Sequence, residues 1–177
     1  DASPLKDSLM DLSTTNEAGA VYNTYINSFT NQDGSVNWLP VCADAHGFVV
    51  NRDLFEKYDI PLPTDYESFV SACREFKKAG IRGFAADYYY DYTCMETLQG
   101  LSASELSSAA GRKWRTIYSN PENTKREGLD STVWPEAFER MEQFIQDTGL
   151  SKGDLNMDYD KVMEMYKSGK LAMYFGS

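Results

Sequence analysis

Gly47-Phe-Val-Val-Asn-Arg-Asp-Leu-Phe-Glu-Lys-Tyr-Asp-Ile-Pro-Leu-Pro-Thr-Asp-Tyr-Glu-Ser-Phe69 reads as four elements in succession. Residues 47–51 are β-branched or aromatic between Gly47 and Asn51, the mark of a buried strand. Residues 53–58 make a short helical turn, which Pro61 and Pro63 stop, because proline fixes φ and restricts the residue before it. Thr64 and Glu67 then fit a capping box, with the threonine oxygen satisfying the backbone of Glu67 and the glutamate reaching back. The helix they open places Tyr66, Phe69, Val70, Cys73 and Phe76 three and four apart, and Gly80 follows Lys77 and Lys78 as its stop. Residues 81–86 supply the next strand. A strand, helix, strand order predicts a layered α/β fold.

Outward from this stretch, Val21, Tyr25 and Phe29 stand at helical spacing, so residues 20–29 are expected to be a short helix before the turn at 31–34. Residues 35–40 are expected to be a strand. Toward the C-terminus, short helices are expected over 95–101 and 103–110, with a polar loop at 121–128. Ser131 or Thr132 then caps a helix whose first turn holds Pro135. Its stripe of Phe138, Met141, Phe144 and Ile145 faces the core up to Gly149. A last helix over 159–167, carrying Val162, Met163 and Tyr166, ends at Gly169. Leu171-Ala-Met-Tyr-Phe175 follows as an apolar strand. A buried strand so close to the end of the sequence leads to the expectation that more chain follows, and that this is a fragment.

The 177 residues carry 17 basic and 27 acidic side chains, a net charge of −10, with no concentrated basic stripe, so nucleic acid and acidic membrane surfaces are poor partners. Hydrophobic residues at 42% and charged residues at 25% describe a folded chain rather than a disordered one. His46 is the one histidine, which makes histidine metal sites and Ser-His-Asp or Cys-His catalysis hard to assemble. Cys42, Cys73 and Cys94 fit neither a CxxC metal site nor a complete disulfide framework; at most one disulfide and one free thiol are compatible with them. No apolar run is long enough to span a membrane, and the N-terminus lacks the pattern of a signal peptide.

The most unusual local feature is Asp87-Tyr-Tyr-Tyr-Asp-Tyr92, directly after a predicted strand. Aromatic faces stack on sugar rings while carboxylates accept hydrogen bonds from hydroxyls, a combination suited to polar neutral ligands. A loop at the carboxyl end of a strand is also where α/β sheets place ligands. Packing of alternate tyrosines into the core is the competing reading, and Asp87 with Asp91 as a glycosidase carboxylate pair is another. Residues 154–160 imitate the start of a calcium loop but put Tyr159 where glycine is needed, so solvation and capping before the next helix is expected instead. His46 is expected to be a hydrogen-bonded strand-edge residue. Met157, Met163, Met165 and Met173 are expected to fill the core.

Three segments resemble the family 1 extracellular solute-binding proteins, the substrate receptors of ABC importers. They are 47–69 with its Asn-x-Asp-Leu-Phe helix and proline connector, 69–83 with its Gly-x-x-Gly approach to a strand, and 165–177 with its Gly-Lys-x-Ala-Met strand. The resemblance implies an α/β, periplasmic-binding-protein-like (type II) bilobal fold, here helix-rich and incomplete, whose lobes close over a solute. It assigns residues 1–37 to a remnant of the first lobe and 38–177 to most of the second. By position it implies ligand stacking by Tyr88, Tyr89 and Tyr90, hydroxyl acceptance by Asp87 and Asp91, and contributions from Asp44 at the cleft floor and from Phe175, Gly176 and Ser177 past the last strand. Trp114 and Trp134 have a weaker case, Trp134 being expected to pack at its helix start. The implied protein is a non-enzymatic monomer without cofactor that binds a mono- or oligosaccharide and passes it to a membrane permease. It would work at the extracellular face of the cytoplasmic membrane or in the periplasm, as lipoproteins of this kind do. A carbohydrate-active enzyme using Asp87 and Asp91, or a structural module that binds no solute, are the alternatives.

Overall fold

A computed structural model of the chain describes residues 8–31, 33–120 and 128–176, in two units, Asp1–Ala45 and His46–Ser177. In the first unit, α1 (Asn16–Gly19) and α2 (Asn23–Ile26) are single helical turns, the second running into a 3-10 turn over Asn27–Phe29. The second and its 3-10 turn occupy 23–29 of the helix expected over 20–29, and their apolar side chains have little to pack on: Tyr25 and Phe29 remain exposed. Residues 35–40 are not a strand; one antiparallel bridge, Thr30 to Val36, is all the pairing they make among the described residues. Side chains hold this unit instead. Asp11 accepts from the backbone N–H groups of Val36 (3.0 Å) and Ser13 (2.9 Å), bonds that keep its carboxyl below the usual range. Buried Asn37 accepts from Asn31 at 2.7 Å and donates to the Met10 carbonyl at 3.0 Å.

The second unit is built on a three-stranded sheet of order β1-β3-β2, comprising β1 (Gly47–Val50), β2 (Arg82–Ala85) and β3 (Leu171–Gly176). The central strand β3 pairs antiparallel with β1 and parallel with β2. The register sets Phe48 beside Phe175 and Val50 beside Met173, while Phe84 also lies beside Met173. Because side chains alternate along a strand, these residues share one face. Against it pack α3 (Arg52–Lys57), α4 (Tyr66–Lys78) and Phe144 of α8 (Trp134–Thr148). On the other face, Ala85 and Tyr174 meet Val162 and Met163 of α9 (Tyr159–Lys167). Helices on both faces of a partly parallel sheet make the layered α/β arrangement the sequence predicts.

Helix α4 ends as expected, with Gly80 at φ +75°, but begins one residue later than its predicted box. Asp65 accepts from the Ser68 N–H at 2.8 Å and Ser68 Oγ accepts from the Asp65 N–H at 3.1 Å. Aspartate caps as well as threonine, and the serine hydroxyl reaches back as glutamate would. The helix lies so close to β2 that a Cβ on Gly83 would stand 2.6 Å from the Cys73 Cα. Only glycine fits there. In α8, Pro135 sits in the first turn and Gly149 ends the helix at φ +72°. Its expected core stripe is only partly buried: Phe144 is enclosed, whereas Phe138 (50% exposed) and Ile145 (37%) face outward.

Between β2 and α8 run α5 (Asp91–Leu101), α6 (Ala103–Ser107) and α7 (Ala109–Ser119). Helix α7 is not foreseen in the sequence reading; the expected second helix breaks at Ser108, whose hydroxyl caps α7 by accepting from the Gly111 N–H at 3.0 Å. Residues 121–127 of the expected polar loop lie outside the described residues. Within 154–160 the expectation divides. Asp158 caps α9, accepting from the Lys161 N–H at 3.0 Å. Asp154 is not solvated: it is buried, ion-paired to Arg82, and bonded to the Ser151 N–H at 2.7 Å. Met163 and Met173 are buried and Met157 and Met165 pack against the second cluster, as core filling requires.

Candidate functional site

β2 and β3 run parallel and β1 opposes them, so one edge of the sheet gathers the carboxyl ends of β2 and β3 with the start of β1. At that edge stand the segment 86–90, Phe175, Gly176 and His46, spread over about 10 Å at ordinary strand spacing. The tyrosine segment is held by its backbone. The Tyr89 N–H donates to the Met157 carbonyl at 2.9 Å and the Tyr90 N–H to the Asp87 carbonyl at 3.1 Å. Asp87 in turn accepts from the Thr93 hydroxyl at 2.9 Å, fastening the segment to the first turn of α5.

Successive tyrosines then take opposite fates. Tyr88 is buried in the main core with its hydroxyl 3.3 Å from Thr97 Oγ1, and burial pushes that phenol up to about 12. It is part of the packed core in this structure. Tyr89 is 63% exposed and Tyr92 53%. The Tyr90 ring lies between them, 5.2 Å from Tyr89 edge to face and 5.4 Å from Tyr92 nearly parallel. Desolvation and the nearby Tyr92, Asp158, Asp87 and Asp160 raise the Tyr90 phenol, so it stays a hydroxyl donor at neutral pH. Asp91 is exposed at the first position of α5.

The same edge holds residues the sequence reading did not assign. His46 Nδ1 is 3.2 Å from Glu96 Oε2 of α5, and its ring centroid is 6.2 Å from that of Phe175. Phe48, half exposed, adds a ring 6.0 Å from Phe175. His46 thus stands just before an edge strand with its ring beside the Glu96 carboxylate, and it also joins the site. The signal in the sequence was there only in part, since nothing local ties residue 46 to residue 96. Phe175 and Gly176 are partly buried at the end of β3, while Ser177 lies outside the described residues. Asp44 is an exposed residue of the first unit. Trp134 packs at the start of its helix against Trp114, at 5.3 Å.

This edge offers aromatic faces, acidic acceptors and phenolic donors, with Lys161 already engaged by Asp158 and the Asn156 carbonyl. Such a set suits a neutral polyhydroxylated ligand better than an anion. Among the described residues no group of three or more His, Cys, Asp or Glu side chains is placed to hold a metal ion. None of the described helices is long and apolar enough to cross a membrane. The three cysteines are free, and burial pushes the Cys73 thiol up to about 12.

The sequence pattern of the bacterial extracellular solute-binding proteins matches residues 6–177. The chain belongs to this family. It is a family of binding proteins. No curated protein matches the chain in sequence. Among solved structures, one from a study of xylan utilization by Caldanaerobius polysaccharolyticus superposes with TM-score 0.74 at 19% identity, covering 99% of this chain and 44% of that one. A family 1 extracellular solute-binding protein from Bifidobacterium longum subsp. infantis gives 0.70 at 18%, over 99% and 44%. A sugar transporter from Bacillus licheniformis in complex with stachyose gives 0.68 at 13%, over 94% and 43%. These likenesses show the fold, the α/β fold of the bilobal solute-binding proteins. The chain spans less than half the length of the solved structures it matches.

Proposed function

We propose that this solute-binding family member is a carbohydrate-binding component of an ABC importer, with Tyr89, Tyr90, Asp87 and Asp91 as its principal ligand contacts. The observation that carries this reading is the ladder of Tyr89, Tyr90 and Tyr92 rings standing beside acidic groups at the carboxyl end of the sheet. Rings of this kind stack on the apolar faces of pyranoses while carboxylates take their hydroxyls. The Bacillus licheniformis neighbour, in complex with stachyose, supports an oligosaccharide as the ligand class. In this reading residues 1–37 belong to the first lobe and 38–177 to the second. Phe175 and Gly176 border the ligand, Asp44 and Ser177 remain candidates from the family resemblance alone, and Tyr88 supports the loop. The protein works outside the cytoplasmic membrane, as a monomer that hands its solute to a membrane permease.

The rival reading, hydrolysis by Asp87 and Asp91, is separated by replacing both. In a panel of neutral oligosaccharides the Asp87→Asn/Asp91→Asn chain is expected to bind about tenfold more weakly, the loss of one charge-assisted hydrogen bond or two. No new reducing ends should appear with either chain. Binding that survives the double substitution, together with reducing ends that only the parent chain releases, would establish an enzyme instead. Asparagine keeps an acceptor for the Thr93 hydroxyl, so the loop geometry is preserved.

A further inference from the structure

Helices α6, α7 and α8 and the 3-10 turn at Leu129–Ser131 border a half-open cavity of about 570 Å³. It shares no residue with the tyrosine edge. Helix α5 starts at that edge and ends at Leu101, just before α6, so the two places are separated by about 16 Å of helix at the usual rise. One wall is aromatic: Trp114 is stacked on Tyr118 at 5.0 Å and 22°, and Trp134 stands edge-on to Trp114 at 5.3 Å. The facing wall is polar. Glu105, 8% exposed at its side chain, is ion-paired to Arg140 and accepts from the Ser104 hydroxyl at 2.9 Å. Beside the cavity, the Trp134 indole N–H is buried with no acceptor among the described residues, a donor that costs stability while it is unpaired.

A Cβ on Gly111 would stand 2.2 Å from the Glu105 carbonyl oxygen, so α7 sits hard against α6 at that point. The lining charges balance, with Lys113 and Arg140 against Glu105 and Glu136. The balance favours no ion of either sign, and the Glu105–Arg140 pair offers fixed donors and acceptors to hydroxyls. The volume lies within the range of small-ligand sites.

We propose that the cavity between α6, α7 and α8 is a second carbohydrate site, taking a neutral saccharide of two or three rings packed against the Trp114–Tyr118 pair. It does not depend on the tyrosine edge binding anything. The test is a ¹H–¹⁵N titration of the 177-residue chain with raffinose, maltotriose, xylotriose and chitotriose, reading the indole resonances of Trp114 and Trp134. At least one sugar is expected to shift both, and to do so equally in a Tyr90→Ala chain, in which the sheet-edge site is disabled. Tyr118→Ala, at a half-exposed position, is expected to raise the dissociation constant about tenfold, and Trp114→Leu to raise it at least as much. Indoles that stay in place with all four sugars would overturn the assignment. So would unchanged affinity in both variants, shown to be folded by their amide spectra.

Discussion

Phe84→Ala is expected to lower the stability of the second unit by about 3–5 kcal/mol, the usual cost of emptying an aromatic site in a closed core. Phe84 is fully buried on β2, an outer strand of the sheet. Its ring lies 5.6 Å from Phe69 and 5.3 Å from Phe144, edge to face with both, and 5.5 Å from Phe48. One side chain therefore joins a strand, both long helices and the half-exposed ring at the sheet's edge. Neighbours from three elements cannot collapse onto the space together, which places the expected loss at the upper part of the range. Guanidinium unfolding followed by far-UV circular dichroism gives the number. Phe84→Leu should recover more than half of it, and a loss below about 1 kcal/mol in the alanine variant would mean that the core is not arranged as described.

The second large effect concerns a charge. Asp154 is nearly enclosed, and its carboxylate serves Arg82, the Ser151 backbone and the Ser151 hydroxyl together. Arg82 also donates to the Phe84 carbonyl at 2.9 Å, so the pair ties β2 to the turn that leads into α9. Removing one member of a buried pair leaves the other uncompensated, and Asp154→Ala is expected to cost about 3 kcal/mol, at the lower bound for such pairs because Arg82 keeps part of its solvent. Replacing both residues, Arg82→Met with Asp154→Leu, should cost clearly less than Asp154→Ala alone. The cycle is closed by the same unfolding measurement. A double variant less stable than the single one would show that the pair contributes through packing rather than charge.

The elements that were legible in the sequence were those with local signals. The proline pair at 61 and 63, the helical spacing from Tyr66 to Phe76 and the glycines at 80, 149 and 169 each act within a few residues of where they stand. Their boundaries slipped where two capping partners compete, as Asp65 with Ser68 did against Thr64 with Glu67. Helix α7 was not foreseen, and Gly111 in its first turn is the residue that lets two helices touch. The first unit misled in the opposite way: apolar spacing at 21, 25 and 29 predicts a helix, but with no partner face to bury them the chain makes only single turns.

For the site, composition located the tyrosine segment and the strand before it placed that segment at a sheet edge. Which tyrosine turns inward was not readable, since it depends on where the strand's alternation ends and where Thr97 of α5 meets it. The pairing of His46 with Glu96 and the insertion of β3 between β1 and β2 join residues far apart along the chain. No local pattern carries that information. Asp154 illustrates the same limit, because its acid-rich surroundings in sequence suggest solvent while the fold brings Arg82 to it.

The central claim is that the tyrosine edge holds a neutral sugar. Since the chain spans less than half the length of its structural relatives, millimolar affinity, about −4 kcal/mol, is the regime in which to look. Saturation-transfer difference NMR on the 177-residue chain with raffinose, stachyose and xylo-oligosaccharides is the direct measurement. Transfer to ring protons of at least one sugar is expected, together with its reduction by more than half in Tyr90→Ala and no reduction in Tyr22→Ala, an exposed tyrosine of the first unit. Transfer that is the same in the Tyr90→Ala and parent chains would contradict the account.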